Sequence, residues 1–181
     1  MRITGGRLRS RKIISIRSQN LRPATDRLRV TMFNILANMI DLTGGVALDL
    51  YAGTGCVGFE AISRGAARVV FVESDRNTAE LISRNAHELG VENACEIVRM
   101  KAEEFVKQCS EKFDVAYVDP PYKINNATCD IIDDIISRGM VRASGIICVE
   151  HSRAYTPPRS KLMRQKIFGS TILSFIAPEE K

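Results

Sequence analysis

The sequence predicts an α/β fold: a mostly parallel seven-stranded sheet with helices on both faces, finished by a C-terminal antiparallel hairpin. Three observations predict it. From Val46 onward, short apolar runs alternate with stretches of helical period through five β-α repeats. The first repeat carries a glycine turn between its strand and its helix, from Gly53 to Gly58. The last two apolar runs are separated only by Gly169-Ser170, which suits a tight hairpin and not a helical crossover.

The elements follow in order. Val46 to Leu50 reads as a buried strand, and after the glycine turn a helix runs to about Arg64, closed by Gly65. Arg68 to Glu73 is the second strand. Ser74 or Asp75 can cap the next helix, whose apolar positions Ala79, Leu81, Ile82, Ala86 and Leu89 share a face and which stops at Gly90. Cys95 to Val98 and Phe113 to Val118 are strands, with a short helix from Ala102 to Cys109 between them. Thr128 to Ser137 is helical and Ile146 to Glu150 is the fifth strand. Leu162 to Phe168 and Thr171 to Ile176 form the hairpin. Ahead of the sheet, Thr25 to Ile40 is an amphipathic helix with Leu28, Met32, Ile35, Leu36, Met39 and Ile40 on one side. Thr25 can cap it, and Asp26 sits where the helix dipole favours an anion.

With 181 residues the chain suits one core, residues 25–181, preceded by a basic extension, residues 1–24. The extension stands out electrostatically. Arg2, Arg7, Arg9, Arg11, Lys12, Arg17, Arg22, Arg27 and Arg29 face Asp26 alone over residues 1–29, so within a net charge of +5 the rest of the chain is acidic. Arginine outnumbers lysine there, and guanidinium groups pair phosphate oxygens bidentately, which points to a phosphate-binding arm rather than a merely solvated one. Gly5-Gly6 places a turn in it.

Several classes drop out. No apolar run is long enough to span a bilayer, and the Arg-rich start has no apolar signal core, so we expect a cytoplasmic protein without membrane contact. The five cysteines, Cys56, Cys95, Cys109, Cys129 and Cys148, are odd in number and lack CxxC spacing, as buried small hydrophobes in a reducing compartment would be. His87 and His151 stand far apart without cysteine companions, so no metal is expected. A monomer is the default expectation.

Three motifs carry chemistry. Asp49-Leu50-Tyr51-Ala52-Gly53-Thr54-Gly55-Cys56-Val57-Gly58 is a strand-end turn in which glycines let a ligand approach the backbone. Its GxGxxG spacing is shared by nicotinamide, flavin and S-adenosylmethionine proteins. Asp49 favours the last, because a carboxylate beside a pyrophosphate is awkward, whereas beside a methionine ammonium it is useful. Glu73, followed by Ser74, ends the second strand where an acid accepts ribose hydroxyls. Lys101-Ala102-Glu103, after the third strand, suits two readings: Glu103 accepts from an adenine amine, or it is an exposed acid at a helix start. The third and most specific motif is Asp119-Pro120-Pro121-Tyr122. Proline donates no backbone N–H, so this segment presents acceptors: the Asp119 carboxylate and neighbouring carbonyls. Two acceptors holding the hydrogens of an exocyclic amine localise its lone pair, and the Tyr122 ring can stack on the base that carries it. Cofactor turn, acidic strand end and Asp-Pro-Pro-Tyr together predict a class I S-adenosylmethionine-dependent methyltransferase fold, for which the terminal hairpin is the expected finish.

With these motifs the chain resembles the RsmD-type methyltransferases of bacteria, which modify guanine N2 in 16S RNA of the small ribosomal subunit. The likeness runs over nearly the whole chain: the basic Met1 to Lys12 opening with its Gly-Gly, Leu21-Arg22-Pro23-Ala24-Thr25-Asp26-Arg27-Leu28-Arg29, Asp49 to Gly58 continuing through Glu60-Ala61-Ile62-Ser63-Arg64-Gly65-Ala66, Asp119-Pro120-Pro121-Tyr122, and Phe168-Gly169-Ser170-Thr171. Ala24, Val30 and Phe168 depart from the family's usual Thr, Glu and Tyr. The resemblance implies methyl transfer from S-adenosyl-L-methionine to guanine N2 of small-subunit ribosomal RNA, with an assembled or assembling 30S particle presenting the target. It implies Asp119, Pro120, Pro121 and Tyr122 as catalytic residues. It implies a cofactor site of Asp49, Tyr51, Ala52, Gly53, Thr54, Gly55, Gly58, Glu73, Ser74, Ala102, Glu103 and Asp119. Arg2, Arg7, Arg9, Arg11, Lys12, Arg22, Thr25 and Arg29 are the expected RNA contacts. Two readings compete: a DNA adenine-N6 or cytosine-N4 methyltransferase, which would use the same motif but has no sequence-reading domain here, and an RNA-binding assembly protein that keeps the fold without catalysis.

Overall fold

The chain's structure, a computed structural model, describes residues 1–15, 26–120, 125–158 and 161–178. Its first helix, α1 (Asp26–Leu36), is followed by β1 (Val46–Leu50), α2 (Cys56–Ser63), β2 (Arg68–Val72), α3 (Arg76–Leu89), β3 (Cys95–Val98), α4 (Ala102–Gln108), β4 (Phe113–Val118), α5 (Asn125–Ser137), β5 (Val141–His151), β6 (Leu162–Phe168) and β7 (Thr171–Ile176). Among the described residues the seven strands form one sheet in the order β3-β2-β1-β4-β5-β7-β6. The first five are parallel; β7 runs antiparallel to both β5 and β6. This is the sheet the sequence predicts, with the chain reversing at β1 so that a crevice opens between β1 and β4.

Strict alternation along the strands divides the core in two. Ala47, Val69, Phe71, Val115, Tyr117, Ile146 and Cys148 face α1, α2 and α3; Leu48, Leu50, Val70, Val72, Ala116, Val118, Ile147 and Val149 face α4 and α5. Sheets buried on both faces need apolar residues at nearly every position, which is why these strands read as continuous apolar runs. The one polar position buried inside β1 is Asp49, 2% exposed.

Boundaries differ from expectation at several places. The first helix ends at Leu36 and runs into a turn, with Met39 and Ile40 N–H groups bonding back to Leu36 O; its cap candidate Thr25 lies outside the described residues. The second strand stops at Val72, leaving Glu73 just beyond it. The fifth helix starts at Asn125. The fifth strand begins at Val141, five residues early, and its pairing with β4 slips between Phe113 and Val115. Gly145 lies at the slip, where an added Cβ would sit 2.5 Å from Asp114 O, so the close backbone approach hides the strand's first half from a hydrophobicity pattern.

The N-terminal segment packs on the main body. Ile3, Leu8 and Ile13 are buried in the same core as α1, α2 and α3, and Arg2 and Lys12 form an isolated antiparallel bridge. The buried Glu60 carboxylate accepts from Thr4 N, Thr4 Oγ1 and Arg64 Nε. Ser63 O accepts from Arg7 N, and Ser63 Oγ from Leu8 N. Asn85 brackets Ile14, accepting from its N–H and donating to its carbonyl. Among the described residues no helix is long and apolar enough to cross a membrane.

Candidate active site

The C-terminal ends of β1, β2, β4 and β5 build the rim of the crevice. At β1 the chain turns sharply: Tyr51, Gly53 and Gly55 all have positive φ (67°, 54° and 75°), and the turn is closed by Gly55 N donating to Ala52 O at 2.8 Å. Tyr51 is not a glycine, yet it holds a left-handed conformation, which packing has to enforce. Its hydroxyl donates to Glu103 Oε1 at 2.9 Å, so that contact ties the glycine turn to the start of α4.

Two carboxylates hold the turn. Asp49 Oδ2 accepts the Gly58 N–H at 2.9 Å. Glu73 Oε2 accepts the Gly53 N–H at 2.9 Å, while its Oε1 accepts from Asp75 N at 2.9 Å. Glu73 therefore stands at the turn with one oxygen on each side of the β1–β2 rim, and Ser74 lies exposed beside it. Asp75, not Ser74, caps α3 by accepting from Thr78 N. Thr54 is buried and its carbonyl accepts from Asn85 Nδ2 at 3.4 Å, which joins the turn to the N-terminal segment through one amide side chain. Ala52 and Ala102 are buried.

Gly58 is required by packing: a Cβ there would come within 2.2 Å of Phe71 Cε1 and 2.9 Å of Val69 Cγ1. The close approach lets α2 lie flat against β2 and brings its first turn onto Asp49.

Asp119 and Pro120 follow directly on the last residue of β4, Val118. Pro120 is buried, and Asp119 keeps part of its surface open at the rim. On the same face Tyr117 and Glu150 are both buried, joined by a 2.7 Å bond from the Tyr117 hydroxyl to Glu150 Oε2. Burial and neighbouring acids raise two carboxyls here. Burial first, then the charges of Glu150 and Asp49, push the Asp119 carboxyl well above the usual carboxylate range. Burial, offset in part by the Gly58 N–H and reinforced by Glu73, lifts Asp49 to about 7. Burial and then the Glu103 carboxylate raise the Tyr51 phenol.

A cationic ligand group fits this site. Asp49 Oδ1 is buried and has no hydrogen-bond partner among the described residues, and a buried acceptor without a donor is costly unless a ligand supplies one. The Gly53–Gly55 backbone and the Glu73 carboxylate supply the polar frame around it.

A family model described as Conserved hypothetical protein 95 matches residues 1–177. The chain belongs to the Conserved hypothetical protein 95 family. This is the family that the sequence motifs resemble. The chain is similar to the Ribosomal RNA small subunit methyltransferase D of Haemophilus influenzae, at 33% identity over 93% of this chain and 89% of that one. It superimposes on yhhF from Escherichia coli with a TM-score of 0.88, 31% identity and coverage of 100% and 99% of the two chains. An RNA methyltransferase from Salinibacter ruber in complex with S-adenosyl-L-homocysteine superimposes with a TM-score of 0.68 at 17% identity, over 88% of this chain and 95% of that one. The fold of this Conserved hypothetical protein 95 member is thus the class I methyltransferase fold, with its mostly parallel sheet and antiparallel finish.

The structure gathers Asp49, Tyr51, Ala52, Gly53, Thr54, Gly55, Gly58, Glu73, Ala102, Glu103 and Asp119 around one rim. Pro121, Tyr122, Arg22 and Thr25 lie outside the described residues. Arg2, Arg7, Arg9, Arg11 and Lys12 are exposed, though Arg2 and Arg11 also donate to backbone carbonyls, of Ser10 and Glu88. Arg29 departs from expectation. It is 0% exposed, paired with Asp26 Oδ1 at 2.7 Å and bonded to Arg2 O and to Met1 Sδ. A helix that lays its Leu28–Met32–Leu36 stripe on the core turns Arg29 inward too, one residue round from Leu28, and the guanidinium then anchors the N-terminus and is not free to grip phosphate. Glu150 and Tyr117 escaped the sequence reading because each reads as an ordinary strand residue; only the register of β4 with β5 brings them to the rim.

Proposed function

We propose that this protein transfers a methyl group from S-adenosyl-L-methionine to the exocyclic N2 amine of a guanine in small-subunit ribosomal RNA, presented within an assembled or assembling 30S particle. The observation that carries the reading is the acceptor-rich end of β4, Asp119 and Pro120, set beside a turn whose buried acid, Asp49, has an oxygen waiting for a donor. The name of the Haemophilus influenzae relative and the S-adenosyl-L-homocysteine bound by the Salinibacter ruber enzyme support it.

Asp49 would hold the ammonium end of the cofactor, Glu73 its ribose hydroxyls, and the Gly53–Gly55 backbone would pass close beneath it. When bound there, the cofactor supplies an electrophilic methyl group on a sulfonium sulfur. Asp119 and the Pro120 carbonyl accept the two amine hydrogens, which pulls the lone pair out of conjugation and aims it along the line of attack; such alignment supplies much of the rate in a reaction of this type. Pro120 offers no competing N–H. Asp119 takes the proton that the methylated amine sheds. Tyr122 would stack on the extruded base, and the exposed arginines of residues 1–12, with Arg22, would hold phosphates around it.

The test is transfer of labelled methyl to unmodified small-subunit particles, naked small-subunit RNA and duplex DNA, followed by nucleoside analysis. Label in N2-methylguanosine is expected, greatest with particles. Label confined to DNA, or none with cofactor bound, would sink the assignment.

A further inference from the structure

Strand order sets the direction in which a nucleoside cofactor lies on this rim. Asp119 follows β4 and Glu73 follows β2, on opposite sides of β1 in the order β3-β2-β1-β4. With the reacting sulfonium toward Asp119 and the ribose at Glu73, the base extends onward to the end of β3. There the backbone of Glu73 pairs with the segment leading into α4. Glu73 N donates to Val98 O at 3.1 Å, and Met100 N donates to Glu73 O at 3.2 Å. Lys101, Glu103 and Glu104 are the charged residues where α4 begins. Lys101 is exposed and its ammonium only donates, Glu104 is exposed, and Glu103 is half-buried.

Tyr51 singles out Glu103. Along β1, Ala47 belongs to one core, and Leu48 and Leu50 to the other. Residues two apart on a strand share a face, so a continued strand would send Tyr51 to the side of Ala47 and Asp49. Its left-handed backbone, at φ 67°, carries the ring to the opposite side, where it packs against the core of Leu48 and Leu50. There the hydroxyl donates to Glu103 Oε1 at 2.9 Å. A non-glycine residue takes such a conformation against a steric cost, and residues of this kind gather at ligand sites. The bond occupies one oxygen of Glu103. The other, Oε2, has no hydrogen bond or ion pair among the described residues.

We propose that Tyr51 is a positioning residue for cofactor selectivity: its phenol pins Glu103 by Oε1 so that Oε2 accepts an N–H of the adenine 6-amino group. The inference rests on the cofactor site assigned above. Asp49 and Glu73 would hold the ammonium and the ribose, parts that do not depend on which base the nucleoside carries. Selection of the base then falls to Glu103. An unpinned glutamate on the first turn of a helix has rotamers to lose when a ligand arrives, and the bond from Tyr51 removes part of that loss in advance. A purine without the 6-amino group would bury Oε2 with no donor, which is the costly case for an acceptor.

The experiment needs no RNA. The full chain is titrated calorimetrically with S-adenosyl-L-homocysteine and with its analogue carrying hydrogen in place of the 6-amino group. The wild-type protein is expected to prefer the amino ligand by about tenfold or more, as a hydrogen bond to a charged acceptor allows. Tyr51→Phe should lower that preference by about fivefold, the worth of one ordinary hydrogen bond. Glu103→Ala should abolish it, and adding Tyr51→Phe to Glu103→Ala should then leave the ratio unchanged. A tyrosine that merely braced the glycine turn would weaken both ligands alike and leave the ratio untouched, and that result overturns the proposal. So does a preference that survives Glu103→Ala, which decides alone if Tyr51→Phe does not fold. A chain that binds neither ligand overturns the cofactor site itself. One that sorts the two ligands as expected but methylates no ribosomal RNA supports the pair and removes only the RNA assignment.

Discussion

Asp49 reaches nine residues along the chain to accept the backbone N–H of Gly58 at 2.9 Å. One oxygen of this buried carboxylate thereby clamps the first turn of α2 against the end of β1, and the other is buried without a hydrogen-bond partner among the described residues. The arrangement costs the ligand-free protein stability, because burial opposes ionisation of Asp49 and lifts its carboxyl to about 7.

The sign of the pH dependence follows. A carboxyl raised in the folded state is no penalty below its unfolded pKa, and the penalty grows as pH climbs from about 4 through about 7. Thermal unfolding of the ligand-free protein should therefore show lower stability near pH 8 than near pH 5, by an amount on the order of a few kcal/mol. Asp49→Asn should flatten that slope and weaken S-adenosyl-L-methionine binding at least tenfold. A slope unchanged in the variant would show that Asp49 is not the titrating group.

Gly58→Ala tests the packing that brings α2 onto Asp49. The new methyl would overlap the Phe71 ring and Val69, and overpacking of this kind costs about 1–3 kcal/mol. Denaturant unfolding should show that loss, with cofactor affinity falling as the Asp49–Gly58 bond lengthens. A variant as stable as wild type would mean that α2 can lift from the sheet freely.

Asp119→Ala separates chemistry from binding. Methyl transfer should fall by about a thousandfold or more, as loss of a proton acceptor and of orientation combine. Calorimetric affinity for S-adenosyl-L-homocysteine should change little. Normal turnover in this variant would remove Asp119 from the mechanism.

The basic end of the chain divides into two kinds of arginine. Replacing the exposed Arg7 and Arg9 together should weaken RNA binding and reduce the slope of log affinity against log salt by about 1–2. Arg29→Ala should leave that slope alone, since the side chain is buried. It should instead cost roughly 2–3 kcal/mol of stability, because its partners Asp26 and the Arg2 carbonyl lose a charged donor. Filter binding across a salt series and thermal unfolding distinguish the two outcomes.

The sequence by itself determined the architecture and which strand ends carry the candidate acids. Apolar runs of strand length, the glycine turn after Asp49 and the Gly169-Ser170 reversal specify each element locally, because periodicity and turn chemistry act over a few residues. Asp49, Glu73 and Asp119 were legible as candidates for the same reason: each lies at or just past the C-terminal end of a strand, the edge at which such sheets meet ligands. What only the tertiary structure decided are relationships across the chain. Arg29 lies among arginines in a basic stretch, and nothing local distinguishes it from Arg27; the docking of α1 on the core buries one and exposes the other. Glu103 offered itself as an acceptor for a ligand, and the left-handed turn at Tyr51 brings a phenol to it from 52 residues away. Glu150 and Tyr117, 33 residues apart, become one hydrogen-bonded pair beside Asp119 because β4 and β5 pair in a register that begins after a slip at Gly145. Hydrophobic pattern fixes which face a residue occupies. Which residue of another strand shares that face at the same height is set by register, and register is a property of the packed sheet.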